Sequence, residues 1–134
     1  MSLNAQLLET SFALLRDRES EFTEYFYSNL FLDYPQVKPL FKSTDMKEQA
    51  KKLFASLALI VKNLKQPDKL TEALKALATR HVAYGVLPNH YPIIGMNLIK
   101  TMSMVLKEQW TPEIEQAWTE AYSSITEVML AAED

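Results

Sequence analysis

Apolar residues recur every three or four positions in six separate stretches of this chain, and each stretch reads as one amphipathic helix. Residues 4 to 17 carry Leu7, Leu8, Phe12 and Leu15 behind Asn4, a candidate cap. Residues 20 to 34 place Phe22, Tyr25, Phe26 and Leu30 inward, with Ser20 as cap. Pro35 and Pro39 then force a short turn-like helix ending at Phe41, because proline removes a backbone donor and disfavours helix in the residue before it. Ser43, Thr44 and Asp45 offer caps for a long helix to about residue 64, whose ridge is Leu53, Leu57, Ile60 and Leu64. Pro67 and Asp68 open the next helix; Gly85 sits where a left-handed C-terminal residue is wanted, and Pro88 follows it. A helix from about 89 to 108 buries Tyr91, Ile94, Leu98, Met102 and Val105. Thr111-Pro112-Glu113 joins a cap, a first-turn proline and an acid, and starts a last helix to about residue 131. Its inner positions are Ile114, Ala117, Ala121, Ile125 and Val128. No repeat, low-complexity tract or linker interrupts the series, so the pattern predicts one all-α domain over residues 1–134.

One position is chemically out of place. The helix opened by Pro67 carries the stripe Leu70, Leu74, Leu77, His81, Tyr84, at spacings of four, three, four and three. An imidazole on an apolar stripe loses its hydration and requires a hydrogen bond or a metal in return. The stripe alone leaves two readings open: a core histidine tied to a backbone carbonyl, or a metal ligand. The chain has no cysteine, which excludes thiolate ligation and leaves imidazole as the strongest soft donor. His90, the other histidine, follows Pro88-Asn89 at a helix start, where the dipole disfavours a cation and no stripe supports it. It reads as a surface or turn residue.

Composition narrows the function classes. Apolar residues at 48% and charged residues at 23% suit an ordinary globular domain with one core. Only two glycines are present, against roughly 7% in typical proteins, which argues against sheets with tight turns and against a phosphate-binding loop. A net charge of −3 without a basic cluster gives no face for nucleic acid. No apolar run approaches the ~20 residues of a membrane span, and the N-terminus lacks the pattern of a signal peptide. A cytoplasmic monomer is the expectation, in keeping with the lack of disulfides.

Several residues besides His81 then fall into one order and spacing. Pro35 precedes Phe41 by six residues, Tyr27 precedes Pro35 by eight, and Gln49 lies one turn before Leu53 on the long helix. With RHVAYGVLPNHYPIIG, FYSNLF and AWTEAY, they make the chain resemble the globins along nearly its whole length. The branch it resembles is that of flavohaemoglobin haem domains and neuroglobin-like bacterial globins. Taken singly the residues admit plainer roles: Pro35 and Phe41 as a loop end and a core aromatic, Tyr27 as a boundary tyrosine, Gln49 as a solvated side chain.

The resemblance implies the globin fold, a three-over-three helical sandwich around haem b (iron protoporphyrin IX). His81 would be the proximal iron ligand and Phe41 the aromatic packed flat on the ring. Leu53, Leu57, Leu77, Val86, Ile94 and Leu98 would complete the apolar slot. Tyr91, ten residues after His81, and Glu133, fifteen after Trp118, match a proximal tyrosine and glutamate that strengthen the histidine as donor. Tyr91 also reads as a core residue, and Glu133 as part of a fraying end. Lys52 and Arg80 each read either as partners of haem propionates or as solvated cations. On the distal side Tyr27 and Gln49 would direct two donors at one diatomic ligand. Internal ligation of ferric iron by Tyr27 is a further possibility.

The functional expectation is reversible, tight dioxygen binding with slow release, and less gain for carbon monoxide, which carries less charge when bound. The alternative is an enzyme, a nitric oxide dioxygenase or a peroxidase-like activity. Its catalytic candidates are Tyr27, Gln49, Tyr91 and Glu133, and it would need an external reductase because the family's flavin- and nicotinamide-binding module would lie beyond Asp134. A third reading, of another class, is a haem-free helical sensory or interaction module.

Overall fold

Among the described residues, six α-helices and two 3₁₀ helices start and stop close to the signals written in the sequence. The computed structural model describes residues 4–83 and 85–133, the last of these in its backbone only. Helix α1 (Ala5–Arg16) is capped by Asn4, whose Oδ1 accepts from the Leu7 N–H at 3.2 Å. Helix α2 (Glu19–Asp33) runs into a 3₁₀ helix at Pro35–Phe41. Of the three caps offered for α3 (Met46–Lys62), Asp45 is used: its carboxylate accepts from the Lys47 and Glu48 amides. Helix α4 spans Pro67–Ala83, α5 His90–Leu106 and α6 Pro112–Glu133, with a 3₁₀ turn at Lys107–Gln109. Thr111 caps α6 by accepting from the Ile114 N–H at 3.2 Å. None of the described helices is long and apolar enough to cross a membrane.

Some expectations fail. Ser20 is not the cap of α2: the Arg18 carbonyl already accepts from the Phe22 N–H, which starts the helix earlier and leaves Ser20 inside it. Tyr25 faces outward at 44% exposure, because the inner face of α2 is Phe22, Thr23, Phe26, Tyr27, Asn29 and Leu30. On α4 the fully buried line is Leu70, Leu74, Ala78; Leu77 and His81 lie at its half-buried edge, and Tyr84 falls outside the described residues. Helix α4 packs against α6, and Ala78 is buried while Leu77 and His81 are only half-buried.

Packing divides the interior into two apolar clusters. The larger joins α1, α2, α3, α5 and α6 around Phe12, Phe22, Phe26, Leu30, Phe54, Met102 and Trp118. The smaller is made by α4 with Ile60, Tyr91, Ile125 and Met129. Helices α3 and α5 run through both: Leu57 and Leu98 belong to the first cluster, Ile60 and Tyr91 to the second. Buried polar side chains then fix the registers. The Asn97 amide donates to the Phe26 carbonyl at 2.8 Å and the Asn29 amide to the Thr101 hydroxyl at 3.2 Å, tying α2 to α5. Trp118 Nε1 donates to Ser11 Oγ at 2.8 Å, tying α6 to α1. Such fully buried bonds favour one packing over its neighbours, since any slip would leave a polar group unpaired.

Candidate functional site

Along the seam between the clusters, and elsewhere at their margins, apolar side chains stay incompletely covered. Phe41, Leu53 and Ile94 pack on the margin of the larger cluster, Leu77 and Val86 on that of the smaller, and all five are half-buried, as is His81. Leu57 and Leu98, also expected to line the slot, are buried. Half-covered apolar surface on both clusters is what a flat, largely apolar occupant would finish burying.

On the α4 side, His81 Nδ1 lies 2.7 Å from the carbonyl oxygen of Leu77, one turn back. A neutral ring that donates there keeps its lone pair on Nε2, the tautomer a metal ligand needs. The two readings left open by the sequence therefore coincide: the backbone bond and an available ligand nitrogen belong to the same ring. Just beyond His81, Gly85 adopts φ +88, a conformation glycine reaches without Cβ strain. The Val86 N–H then bonds the His81 carbonyl at 3.0 Å and the Gly85 N–H the Val82 carbonyl at 3.0 Å, the paired bonds of a Schellman ending. His81 is thus held through both its ring and its carbonyl. Tyr91, from the first turn of α5, lies beside it, with ring centroids 6.2 Å apart and planes 26° apart.

On the α2 side, Tyr27 is buried among aromatic rings: Phe26 at 5.0 Å, Phe41 at 5.8 Å and Phe31 at 6.1 Å. Burial pushes its phenol up to about 12, partly offset by a hydrogen bond from the side chain of Gln49. The phenol therefore keeps its proton at neutral pH. The two expected donors, Tyr27 and Gln49, are thus near neighbours.

Other candidates are placed less informatively. Lys52 and Arg80 are exposed. Glu133 ends α6, and its side chain lies outside the described residues. His90 is the first residue of α5, its Nδ1 accepting from the Leu87 N–H at 3.0 Å. Among the described residues no group of three or more His, Asp or Glu side chains could hold a metal ion. The sequence reading missed Phe31, 5.4 Å from Phe41, and it missed Tyr122 of α6, whose hydroxyl donates to the Tyr91 carbonyl at 2.6 Å. A glycine inside a helix of a chain with only two was the available signal for the second. Gly95 is where the Tyr122 ring rests.

The described residues form an all-helical bundle, and comparison with known proteins gives it a family. Residues 24–129 match the globin family model. The chain belongs to the globin family. It is 34% identical to flavohemoprotein B of Dictyostelium discoideum over 130 residues, covering 96% of this chain and 30% of the relative. It is 29% identical to the flavohemoprotein of Vibrio cholerae over 129 residues, or 95% of this chain and 33% of the relative. The chain spans about a third of the length of these curated relatives. A solved bacterial globin from Campylobacter jejuni superposes with a TM-score of 0.81 at 28% identity, covering 96% of this chain and 93% of that one. An engineered carbene transferase, made from a candidate nitric oxide dioxygenase of Rhodothermus marinus, superposes with a TM-score of 0.82 at 26% identity and covers 93% and 87% of the two chains.

Proposed function

We propose that this chain holds haem b through His81 and binds dioxygen reversibly on the side of Tyr27 and Gln49. The observation that carries this reading is the ring of His81, whose Nδ1 is committed to Leu77 so that Nε2 is left as donor. Haem, when bound, supplies an iron with one position open to a diatomic gas. The chain's own residues do the rest. His81 gives a lone pair, and its bond to the Leu77 carbonyl raises the donor strength of the ring. Phe41, Leu53, Leu57, Leu77, Val86, Ile94 and Leu98 contribute apolar surface that excludes water. Tyr27, neutral because burial penalises its phenolate, presents an O–H to a gas that gains negative charge on binding. Gln49, by donating to the Tyr27 oxygen, orients that O–H and makes it a better donor. Nitric oxide and carbon monoxide fit the same pocket, with carbon monoxide gaining less from the donor.

The test is titration of the purified protein with haem, followed by absorption in the ferric, ferrous and oxygenated states. The reading expects stoichiometric uptake, a five-coordinate ferrous spectrum, and a reversible change with oxygen. No intense Soret band after haem is offered would overturn it in favour of a haem-free helical module.

A second reading, nitric oxide dioxygenase, draws support from the similarity to flavohemoproteins and to the Rhodothermus marinus protein. The pocket serves both readings, and electron supply separates them. Stopped-flow mixing of the oxygenated protein with nitric oxide, with and without an external reductase, decides: repeated nitrate formation supports the enzyme, and a single turnover ending in ferric protein opposes it.

A further inference from the structure

Where the end of α2 meets the middle of α5, a pocket of about 270 Å³ is lined by Asp33, Tyr34, Met96, Asn97 and Lys100. None of these five is among the side chains of the seam. A cavity of roughly 150 Å³ already admits benzene, so this one has room for a single ring with a small polar group. Met96 is 65% exposed, an apolar side chain left in water, and Tyr34 is half-buried. The inner wall is chemically incomplete. Asn97 is 2% exposed, and its Nδ2 donates to the Phe26 carbonyl at 2.8 Å. Its Oδ1 is buried too, and among the described residues nothing donates to it. Turning the amide over gives no relief, because Oδ1 would then face the Phe26 carbonyl oxygen. A buried oxygen without a donor costs free energy that a ligand supplying one would recover. The charges on the wall are already matched: Lys100 Nζ lies 2.6 Å from Asp33 Oδ2, and both side chains are partly exposed. An ammonium has three donors, so one bond to Asp33 leaves capacity for an acceptor.

We propose that this pocket between α2 and α5 binds a small neutral molecule, a primary carboxamide carried on an aromatic ring. The amide N–H donates to Asn97 Oδ1, and the amide oxygen accepts from Lys100. The ring covers Tyr34 and Met96, whose thioether makes favourable contacts with an aromatic edge. A cationic head fits worse, because it would give up its hydration to a neutral oxygen while Asp33 is already paired. An anionic head brings Asn97 Oδ1 no donor. The site is separate from that of His81, and its occupancy does not depend on haem.

Two probes test this on isotope-labelled protein by magnetic resonance. Benzamide carries the ring, the carbonyl and the N–H; methyl benzoate keeps the ring and carbonyl but has no donor. The side-chain amide of Asn97 and the methyl group of Met96 report on the pocket, and the methyl groups of Leu53 and Ile94 report on the seam. Benzamide should shift the Asn97 and Met96 resonances to saturation, with Overhauser contacts from its ring protons to Met96 and Tyr34. It should bind at least about tenfold more tightly there than methyl benzoate, the discrimination expected of one donor reaching an otherwise unpaired buried acceptor. Asn97→Leu removes the acceptor and should bring the two probes to equal affinity; unequal affinities in that variant would contradict the assignment. The comparison in the wild-type protein stands even where Asn97→Leu does not fold. Equal affinity of the two probes for the wild-type pocket would mean that water already satisfies Asn97 Oδ1, and would overturn the proposal. So would the lack of any saturable shift, or shifts confined to Leu53 and Ile94, which would put benzamide in the seam.

Discussion

The two flanks of the seam are built on different principles. On the α2 flank, Tyr27 ends a chain of rings drawn from α1, α2 and α3: Phe12 and Phe54 stack at 4.9 Å, Phe54 meets Phe22 at 6.2 Å, Phe22 lies 6.2 Å from Phe26, and Phe26 meets Tyr27 edge to face. On the α4 flank the cluster is smaller and mostly aliphatic, and His81 stands at its margin, oriented by the carbonyl one turn back and by the helix ending at Gly85. A hydroxyl that must meet a ligand depends here on long-range packing, whereas an imidazole that must present one nitrogen depends on local backbone geometry. Substitutions should therefore disturb the two flanks in different ways.

The largest effect is expected from Phe26→Ala. Phe26 is 2% exposed at the centre of the larger cluster, and its truncation should cost about 3–5 kcal/mol, seen in denaturant unfolding as a loss across the whole protein. Leu74→Ala in the smaller cluster should cost about 3 kcal/mol, with amide exchange in α4 accelerating before the rest. Equal acceleration everywhere would erase the distinction between the flanks.

Next comes pH. Tyr27 holds its proton more tightly when folded, at about 12 against an ordinary 10.0, so its contribution is intact below pH 10 and lost as pH rises through 12. Stability of the haem-free protein should fall by up to about 3 kcal/mol over that window from this group. Y27F should flatten the decline, and an unchanged alkaline profile would show that the phenol is not desolvated. In the haem-loaded protein, Y27F removes one hydrogen bond to charge worth about 1.5–3 kcal/mol, so oxygen release measured by stopped flow should speed up ~10- to 150-fold. The smallest effect is local: Gly85→Ala, at φ +88, should cost about 1–2 kcal/mol and loosen the end of α4 without touching the α2 flank.

How much of this was legible follows the same division. Local signals were readable because each acts within a few residues: Asn4, Asp45 and Thr111 cap the helices they precede, and Gly85 ends α4 as its position suggested. His81 stood out as a candidate because an ionisable group interrupts an apolar period. What the pattern could not give was any contact made between helices. Nothing along the chain says that Ala78, not His81, continues the buried line, that Tyr25 turns outward, or that Asn29 and Asn97 are buried by bonding to Thr101 and Phe26. Gln49 and Tyr27 lie 22 positions apart, and their pairing depends on how α2 and α3 pack. Periodicity records which face is apolar; it does not record what that face meets.

The account turns on the Nε2 atom of His81, and one comparison reaches it directly. Ferrous haem-loaded protein should show an iron–imidazole stretching band, lost in H81G and restored when free imidazole is added to that variant. A band that persists in H81G, or one that free imidazole does not restore although H81G holds haem, would place the iron on another ligand.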